Sequence, residues 1–188
     1  MPKDNIQRAI DRGTGAGADA AAIERVVFEG YGPGGAAILV EALTDNRNRT
    51  SAEVRHAFTK HGGNLGEPGS VAWIFVKRGV IVVDGERYGE DDLIAAIDAG
   101  AEDVQRDGDL LKVISDPSDL AQVRAALEGA GVEIQSSDIA MEPSNLVEID
   151  ESSAGSLLRL LDALEEHEDV NEVHANFDIS QELLEKVA

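Results

Sequence analysis

Short apolar runs interrupted by glycine turns make up residues 23–78. Apolar residues at period two predict strands, and apolar residues that share one face at helical spacing predict a helix. The glycine-rich turn supplies the positive φ angles that tight connections need. The pattern predicts strand, turn, strand, helix and strand, with limits at 26–29, 30–35, 36–43, 51–61 and 71–76.

The helix in this segment has clear start and stop signals. Thr50 followed by Glu53 predicts a capping box, in which each side chain satisfies a backbone N–H that the other leaves free. Gly62 and Gly63 predict the left-handed end of the helix. The stretch 71–76 is apolar on both faces and predicts a buried central strand, with Trp73 in the core.

A second alternation of strands and helices occupies residues 79–143. Asp107-Gly108 predicts a two-residue hairpin turn, and Asp116-Pro117 predicts a helix start. The order βαββαβ is that of a ferredoxin-like split βαβ unit. The predicted elements are strand 80–83, helix 91–99, strands 104–106 and 110–114, helix 116–128 and strand 132–140.

The remaining segments decide the expected domain organisation. Residues 144–188 predict a strand (146–149), a helix (153–166) and a strand (170–177), which cannot close a core by themselves. We therefore expect them to complete residues 23–78, although the residues alone leave the strand pairing open. Pro2–Arg12 predicts a short helix, and 13–18 a glycine-rich linker.

These patterns predict an α+β fold. It consists of two ferredoxin-like-sized α/β sandwich units, the second inserted into the first, and a short N-terminal helix. The expected domains are 1–22, the discontinuous 23–78 with 144–188, and the inserted 79–143.

Composition restricts the class of protein. The hydrophobic share of 43% is that of a globular protein, and the chain has no cysteine for disulfides or thiolate metal sites. No apolar run is long enough to span a membrane, and no secretory signal pattern is present, so we expect a cytoplasmic protein that does not bind membranes.

Charge is distributed unevenly along the chain. The formal net charge is −21, yet residues 1–78 carry ten Lys and Arg against nine Asp and Glu. Residues 79–188 carry six basic residues against twenty-eight acidic ones, and the stretch 45–78 carries six basic residues against three acidic ones. Acidic surface repels phosphate, so only the first part of the chain is compatible with nucleic acid, and its modest charge predicts weak, salt-sensitive binding.

Arg47 and Arg49 are the main candidates for phosphate contacts. They precede the predicted helix start, where free backbone N–H groups favour anions. Because they are two positions apart in a segment expected to be extended, their guanidinium groups are expected on the same side, where both could bind phosphate. The alternative is a solvated, Asx-rich turn whose arginines pair with local acids. Physical reasoning from the residues leaves both open.

Aromatic and histidine residues add few candidates. Tyr31, in the glycine turn, could stack on a base or pack onto its own sheet. His167 and His174 flank acidic residues, so a cation site and a solvated helix end are alternatives, of which the helix end is preferred. The sequence contains no nucleophile, base and acid constellation, and we predict no catalytic residue, metal site or cofactor.

The segments GYGPGGAAILVEALTDNRNRT, AEVRHAFTKHGGNLG and GSVAWIF strongly resemble the YebC/PmpR family. The resemblance extends from MPKDNIQRAIDRG to VNEVHANFDI. Members are described as transcriptional regulators and, in some cases, as translation factors, among them the mitochondrial translational activator of cytochrome oxidase. Members usually begin with a further basic, helical region, and this chain starts after most of it. Tight nucleic-acid binding is then expected to need that region or a partner.

The resemblance implies a non-enzymatic regulator of gene expression, with DNA, ribosomal RNA or tRNA as partner and the ribosome or transcription machinery as larger assemblies. Its oligomeric state is left open. The alternative is a small-molecule-binding or protein-interaction module that acts through its acidic half. The residues expected to bind nucleic acid are Tyr31, Gly32, Gly34, Gly35, Asn46, Arg47, Asn48, Arg49, Thr50, Arg55, Lys60, Asn64, Lys77 and Arg78.

Overall fold

A computed structural model describes residues 22–187, so the helix and linker expected within 1–18 lie outside the described residues. The strands are β1 (Glu24–Tyr31), β2 (Ala37–Thr44), β3 (Asn64–Leu65), β4 (Phe75–Asp84), β5 (Ala101–Asp107), β6 (Leu110–Ser115), β7 (Ile134–Pro143), β8 (Val147–Glu148), β9 (Val170–Ala175) and β10 (Phe177–Asp178). The α-helices are α1 (Arg47–Lys60), α2 (Ile94–Asp98), α3 (Leu120–Gly129), α4 (Glu151–Glu165) and α5 (Gln181–Val187).

The described chain forms two compact units, one of residues 22–74 and 143–187 and the other of residues 75–142. We call them the discontinuous unit and the inserted unit. Strand β4 runs without interruption through Arg78, where the sequence placed a domain boundary, so the boundary observed lies at Ile74. Both units combine helices with an antiparallel sheet, which confirms the predicted α+β class.

The discontinuous unit has a four-stranded sheet in the order β3-β1-β2-β9. β1 and β2 pair from Glu24 opposite Thr44 to Tyr31 opposite Ala37, and β9 joins the other edge of β2. Apolar residues that face the helices form its core with α1 and α4, because both helices present a continuous apolar stripe. The largest buried side chains there include Ile38, Phe58, Leu157, Leu160 and Leu164.

The inserted unit has the sheet order β5-β6-β4-β7, with α2 and α3 between the strands as in a split βαβ arrangement. Its core contains the apolar side of β4 and β6 and the buried faces of both helices. The hairpin turn is Gly108-Asp109, because Asp107 already pairs with Leu110, so the predicted turn was displaced by one residue.

The predicted strand over 71–76 was wrong. Ala72–Ile74 form a 3-10 turn, and the strand begins only at Phe75. Trp73 is 71% exposed, so the expected core position was also wrong. The turn buries Ile74 and leaves Ala72 and Trp73 exposed, so burial along 71–76 does not follow the period of a strand. Among the described residues, no helix combines the length and apolar character that crossing a membrane requires.

Candidate nucleic-acid interface

Helix α1 begins earlier than the sequence indicated. Asn46 is its N-cap, and the Asn46 side chain accepts a 3.1 Å hydrogen bond from the backbone N–H of Arg49. The predicted capping box of Thr50 and Glu53 was therefore wrong. The Asx side chain acts as the cap because it can reach the N3 N–H from outside the helix, whereas Thr50 already lies within the first turns.

The early start changes the geometry of the two arginines. Arg47 and Arg49 lie in the first turn of α1 and not in an extended segment, so they point about 200° apart around the helix axis. Arg47 is exposed and has no ion-pair partner among residues 22–187. The expectation that both guanidinium groups share one side was wrong.

Arg49 is held by acids of its own unit. Its guanidinium lies 3.0 Å from Asp169 and 3.4 Å from Asp45. The pKa of Arg49 is raised, mainly by its hydrogen bond to Asp169. This pairing matches the alternative in which local acids neutralise an arginine at this turn.

Thr50 belongs to a buried polar cluster. Its hydroxyl lies 2.7 Å from both the Thr44 hydroxyl and the Asp169 carboxylate, and the residue has no exposed surface. In this conformation Thr50 therefore presents no surface to a partner, and its hydroxyl ties α1 to Asp169.

Asp169 is the acceptor at the centre of this cluster. Burial alone would raise the pKa of Asp169, but the hydrogen bonds from Thr50 and Arg49, with the charge of Arg49, outweigh burial and lower the pKa. The carboxylate therefore stays ionised and ties the turn after α4 to the start of α1.

His167 also takes part in this connection. Its Nδ1 accepts a 3.1 Å bond from the N–H of Asp169, so Nε2 carries the proton of the neutral ring and donates to Glu53 at 2.7 Å. His167 and Asp169 are therefore held by internal hydrogen bonds, whereas Glu165, Glu166 and Glu168 at the same helix end are exposed. His174 lies instead near two acids on the sheet, Glu41 at 3.7 Å and Glu172 at 3.3 Å.

Two histidine-containing groups have the residue types of a cation site. They are Glu53, His167 and Asp169, and Glu41, Glu172 and His174, each with ligand atoms within 4.8 Å of one another. In the first group, Asp169 Oδ2, Glu53 Oε2 and both ring nitrogens of His167 already take part in internal hydrogen bonds. In the second group, the positive charge beside Glu41 comes from Arg25, which forms an ion pair with it.

The glycine loop lies at the opposite end of α1 from Arg47. Helix α1 has 14 residues, so its two ends are about 20 Å apart. The turn that follows the helix packs on the loop, since a Cβ on Gly63 would lie 2.7 Å from the carbonyl oxygen of Tyr31. The structure therefore joins the 30–35 loop to the 62–66 turn and separates both from the 46–50 segment.

Glycine is required in this loop for two reasons. Gly34 and Gly35 have φ angles of 81° and 84°, which favour glycine. Gly32 is buried, and a Cβ there would meet Leu157 at 2.8 Å and Ile38 at 2.9 Å. Gly32 therefore supports close packing inside the unit, whereas Gly34 and Gly35 are exposed on the loop surface.

A surface hollow of about 290 Å³ lies where this loop meets both helices of the discontinuous unit. We call it the loop-end hollow. Lys60 and Arg159 provide positive charge there, three serines provide hydroxyls, and no Asp or Glu is among its described lining residues. The lining residues are Pro33, Lys60, His61, Gly62, Ser152, Ser153, Ser156 and Arg159.

Four cations of the discontinuous unit have no carboxylate partner within residues 22–187. They are Arg47, Arg55, Lys60 and Arg159. The other described cations of this unit pair with acids: Arg25 with Glu41, Arg49 with Asp169 and Lys186 with Glu151. The guanidinium of Arg159 donates a 3.3 Å hydrogen bond to the hydroxyl of Ser156, and both residues line the hollow.

The other candidate residues lie at separate places. Asn48 is exposed beside Arg47 in the first turn of α1, and Asn64 is exposed in β3, where it pairs with Tyr31. Lys77 and Arg78 lie on β4, in the inserted unit, and Arg78 is 2.6 Å from Glu102.

Sequence reasoning missed Arg159 and the three serines of α4, because they lie more than 110 residues after the 30–35 glycine loop in the chain. It also missed Glu29, which is 5% exposed and accepts hydrogen bonds from backbone N–H groups of the 69–72 segment. An acid at the end of an apolar strand was the only available signal for that role.

The fold and this surface define the class of protein: a two-unit α+β protein with a glycine loop beside cations that pair with no acid among residues 22–187. Residues 23–177 match the family described as "TACO1/YebC second and third domain". The chain belongs to this family.

Named relatives agree with that assignment. The chain is 54% identical over its whole length to a "Probable transcriptional regulatory protein" of Rubrobacter xylanophilus, of which it covers 76%. It is 51% identical to a protein of the same description from Halothermothrix orenii, of which it covers 75%. The crystal structure of a conserved hypothetical protein from Aquifex aeolicus superposes with a TM-score of 0.74, at 46% identity, over 98% of this chain and 76% of that one.

Proposed function

We propose that this protein is a non-enzymatic regulator of gene expression that contacts nucleic acid through the discontinuous unit. The single observation that carries the proposal is the loop-end hollow, where Lys60 and Arg159 face a glycine loop without a carboxylate among the described lining residues. Relatives named probable transcriptional regulatory proteins support the regulatory role.

The chemistry of the hollow suits a phosphate. Lysine and arginine bind phosphate oxygens as charged donors, and serine hydroxyls add neutral hydrogen bonds. The exposed glycine at Gly35 allows a nucleic-acid backbone to approach the loop closely, since no described atom lies within 4 Å of a Cβ placed there.

The charge pattern supports the discontinuous unit as the part of the chain that contacts nucleic acid. The whole chain carries a net charge of −21, so most of its surface repels nucleic acid. Arg47, Arg55 and Lys60 on α1, with Arg159 on α4, add positive charge that local acids do not neutralise within the described residues. About four such contacts would give salt-sensitive binding with a log–log slope of roughly −3 to −4 on duplex DNA.

The proposal is tested by binding of the full chain to duplex DNA and to ribosomes over a salt series. The double variant Lys60→Glu/Arg159→Glu should lose most of the binding and reduce the salt slope by about 2. Arg124→Glu is a matched control, because Arg124 is exposed in the inserted unit and pairs with Glu128 at 3.0 Å.

The target that the protein binds indicates whether it acts in transcription or in translation. Salt-sensitive binding to DNA that the double variant loses favours transcription, and the same result on ribosomes favours translation. Binding that the double variant retains in full would contradict the placement of the interface at the loop-end hollow.

A further inference from the structure

Two exposed aromatic side chains share one hydrogen-bond acceptor. The Trp73 indole N–H donates to the carbonyl oxygen of Ser70 at 3.0 Å, and the Tyr31 hydroxyl lies 3.4 Å from the same oxygen. Trp73 is 71% exposed and Tyr31 is 41% exposed. One carbonyl therefore holds the polar edges of both rings while large parts of both side chains stay in solvent.

The segment that carries Trp73 is held in place by Glu29. The buried Glu29 carboxylate accepts hydrogen bonds from the N–H groups of Gly69, Val71 and Ala72, the last two at 3.0 and 2.6 Å. The Glu29 carbonyl accepts another from Gly66 at 2.7 Å. Because charge-assisted bonds to backbone groups are strong, this segment is preorganised before any partner arrives.

Packing within residues 22–187 leaves most of the Trp73 side chain uncovered. Large aromatic side chains in protein cores bury about 150–250 Å² each, and a ring left in water forgoes that stabilisation. The chain has only one tryptophan, and 4% of its residues are aromatic. Two of these few aromatic side chains nevertheless occupy one exposed site.

We propose that Tyr31 and Trp73 form a stacking platform for unpaired bases, so that the nucleic acid bound at this end of the unit is single-stranded. This inference rests on the proposed function and specifies its ligand. Every base has a π-face, and aromatic side chains bind bases that are not already stacked in a duplex. A continuous duplex keeps its base faces covered and would meet only the cations.

The neighbours of the platform supply the remaining contacts. Asn64 is exposed in β3 directly opposite Tyr31, where its amide can bond a base edge. The turn at Gly63 packs against the carbonyl of Tyr31, and Lys60 ends the helix just before that turn. Base stacking and phosphate contacts thus occur at the same end of the discontinuous unit.

The test uses the intrinsic fluorescence of the single tryptophan together with the anisotropy of labelled strands. Probes are oligoadenylates of about 12 nucleotides as RNA and as DNA, with a duplex of the same length, a size within the range that single-strand sites cover. We expect single strands to quench Trp73 emission and the duplex to leave it nearly unchanged. Comparison of the affinities for the RNA and DNA oligoadenylates shows whether ribose or deoxyribose is preferred.

Substitution separates stacking from phosphate binding. Tyr31→Leu and Trp73→Leu should each weaken single-strand binding by roughly fivefold to a hundredfold, with little effect on the duplex. Trp73→Phe should restore part of the affinity because it keeps an aromatic ring. Leu146→Ala is the matched control, since Leu146 is an exposed apolar side chain of the same unit, 58% exposed, without an aromatic ring.

The outcomes distinguish this inference from the proposed function. Single-strand binding that depends on Lys60 and Arg159 but not on Tyr31 or Trp73 would overturn the platform alone. Equal quenching by duplex and single strand would also overturn it. If none of these probes binds while ribosomes or longer DNA do, the platform alone is overturned; if those also fail to bind, the proposed function fails as well. Circular dichroism and thermal unfolding of each variant exclude loss of the fold as the cause.

Discussion

The carboxylate of Asp169 accepts a 2.7 Å hydrogen bond from the hydroxyl of Thr50, although 119 positions separate the two residues in the chain. Asp169 follows α4, and Thr50 lies in the first turns of α1. This contact joins the two parts of the discontinuous unit across the intervening inserted unit in sequence. Asp169 also pairs with one of the arginines of the DNRNRT motif, because Arg49 donates to the same carboxylate oxygen.

Replacement of Asp169 should destabilise the discontinuous unit. Asp169→Asn leaves the Thr50 hydroxyl and the Arg49 guanidinium with a weaker, neutral acceptor, so we expect a loss of about 1–3 kcal/mol in the free energy of unfolding at neutral pH. Urea denaturation measures the change. Glu168→Gln, at an exposed neighbouring position, should change stability by less than about 0.5 kcal/mol. Equal effects of the two variants would contradict the role of Asp169.

The contribution of Asp169 should depend on pH. Its pKa is lowered in the folded state, so the stabilisation is fully present above the unfolded value near 3.9 and is lost as pH falls through the lower folded value. The stability difference between the native protein and Asp169→Asn should therefore be constant above about pH 5 and shrink below about pH 4. Urea titrations at several pH values test this, and a difference that stays constant into acid would contradict it.

We expect Arg47 to contribute to nucleic-acid binding and Arg49 to contribute to stability. Arg47→Ala should weaken nucleic-acid binding and lower the salt slope by about 1, without a measurable change in stability. Arg49→Ala should reduce stability, because Asp169 loses its cationic partner. Parallel anisotropy and urea measurements on both variants check the assignment. A larger binding loss for Arg49→Ala at unchanged stability would reverse it.

Glu29 should control the environment of Trp73. Glu29→Gln removes the charge that three backbone N–H groups share, so we expect a loss of about 1–3 kcal/mol and a change in the emission of the single tryptophan. Fluorescence spectra and urea denaturation report the two effects. Glu24→Gln, exposed on the same strand, is the control, and identical spectra for all three proteins would contradict the role of Glu29.

Gly30 should tolerate no side chain. A Cβ there would lie 2.6 Å from the carbonyl oxygen of Asn64 and 2.8 Å from the ring of Phe58, and a backbone carbonyl in a paired strand has little freedom to move. Gly30→Ala should therefore cost about 1–3 kcal/mol. Gly129→Ala is the contrasting variant, because no described atom lies within 4 Å and the residue ends α3, so neutral or slightly higher stability is expected. Thermal unfolding distinguishes the two.

Periodicity and turn residues in the sequence predicted the helices and strands well wherever interactions between neighbouring residues decide the local structure. The βαββαβ order, the strands on either side of the glycine loop and the helix of 151–165 all followed from periodicity, glycine and proline signals. The α+β class and the family resemblance were confirmed. Errors appeared where two local signals competed, as at the start of α1, where Asn46 acts as N-cap in place of Thr50.

The sequence by itself determined the α+β class, the family and the glycine-rich motif, because periodicity, turn chemistry and motif spacing are properties of neighbouring residues. Tertiary structure alone decided which arginine is free, where Trp73 points and that Arg159 joins Lys60 in one hollow. These features depend on residues far apart in the chain, such as Asp169 beside Arg49. Only the folded packing fixes the distance between such side chains, and that distance decides whether a charge is neutralised or left for a partner.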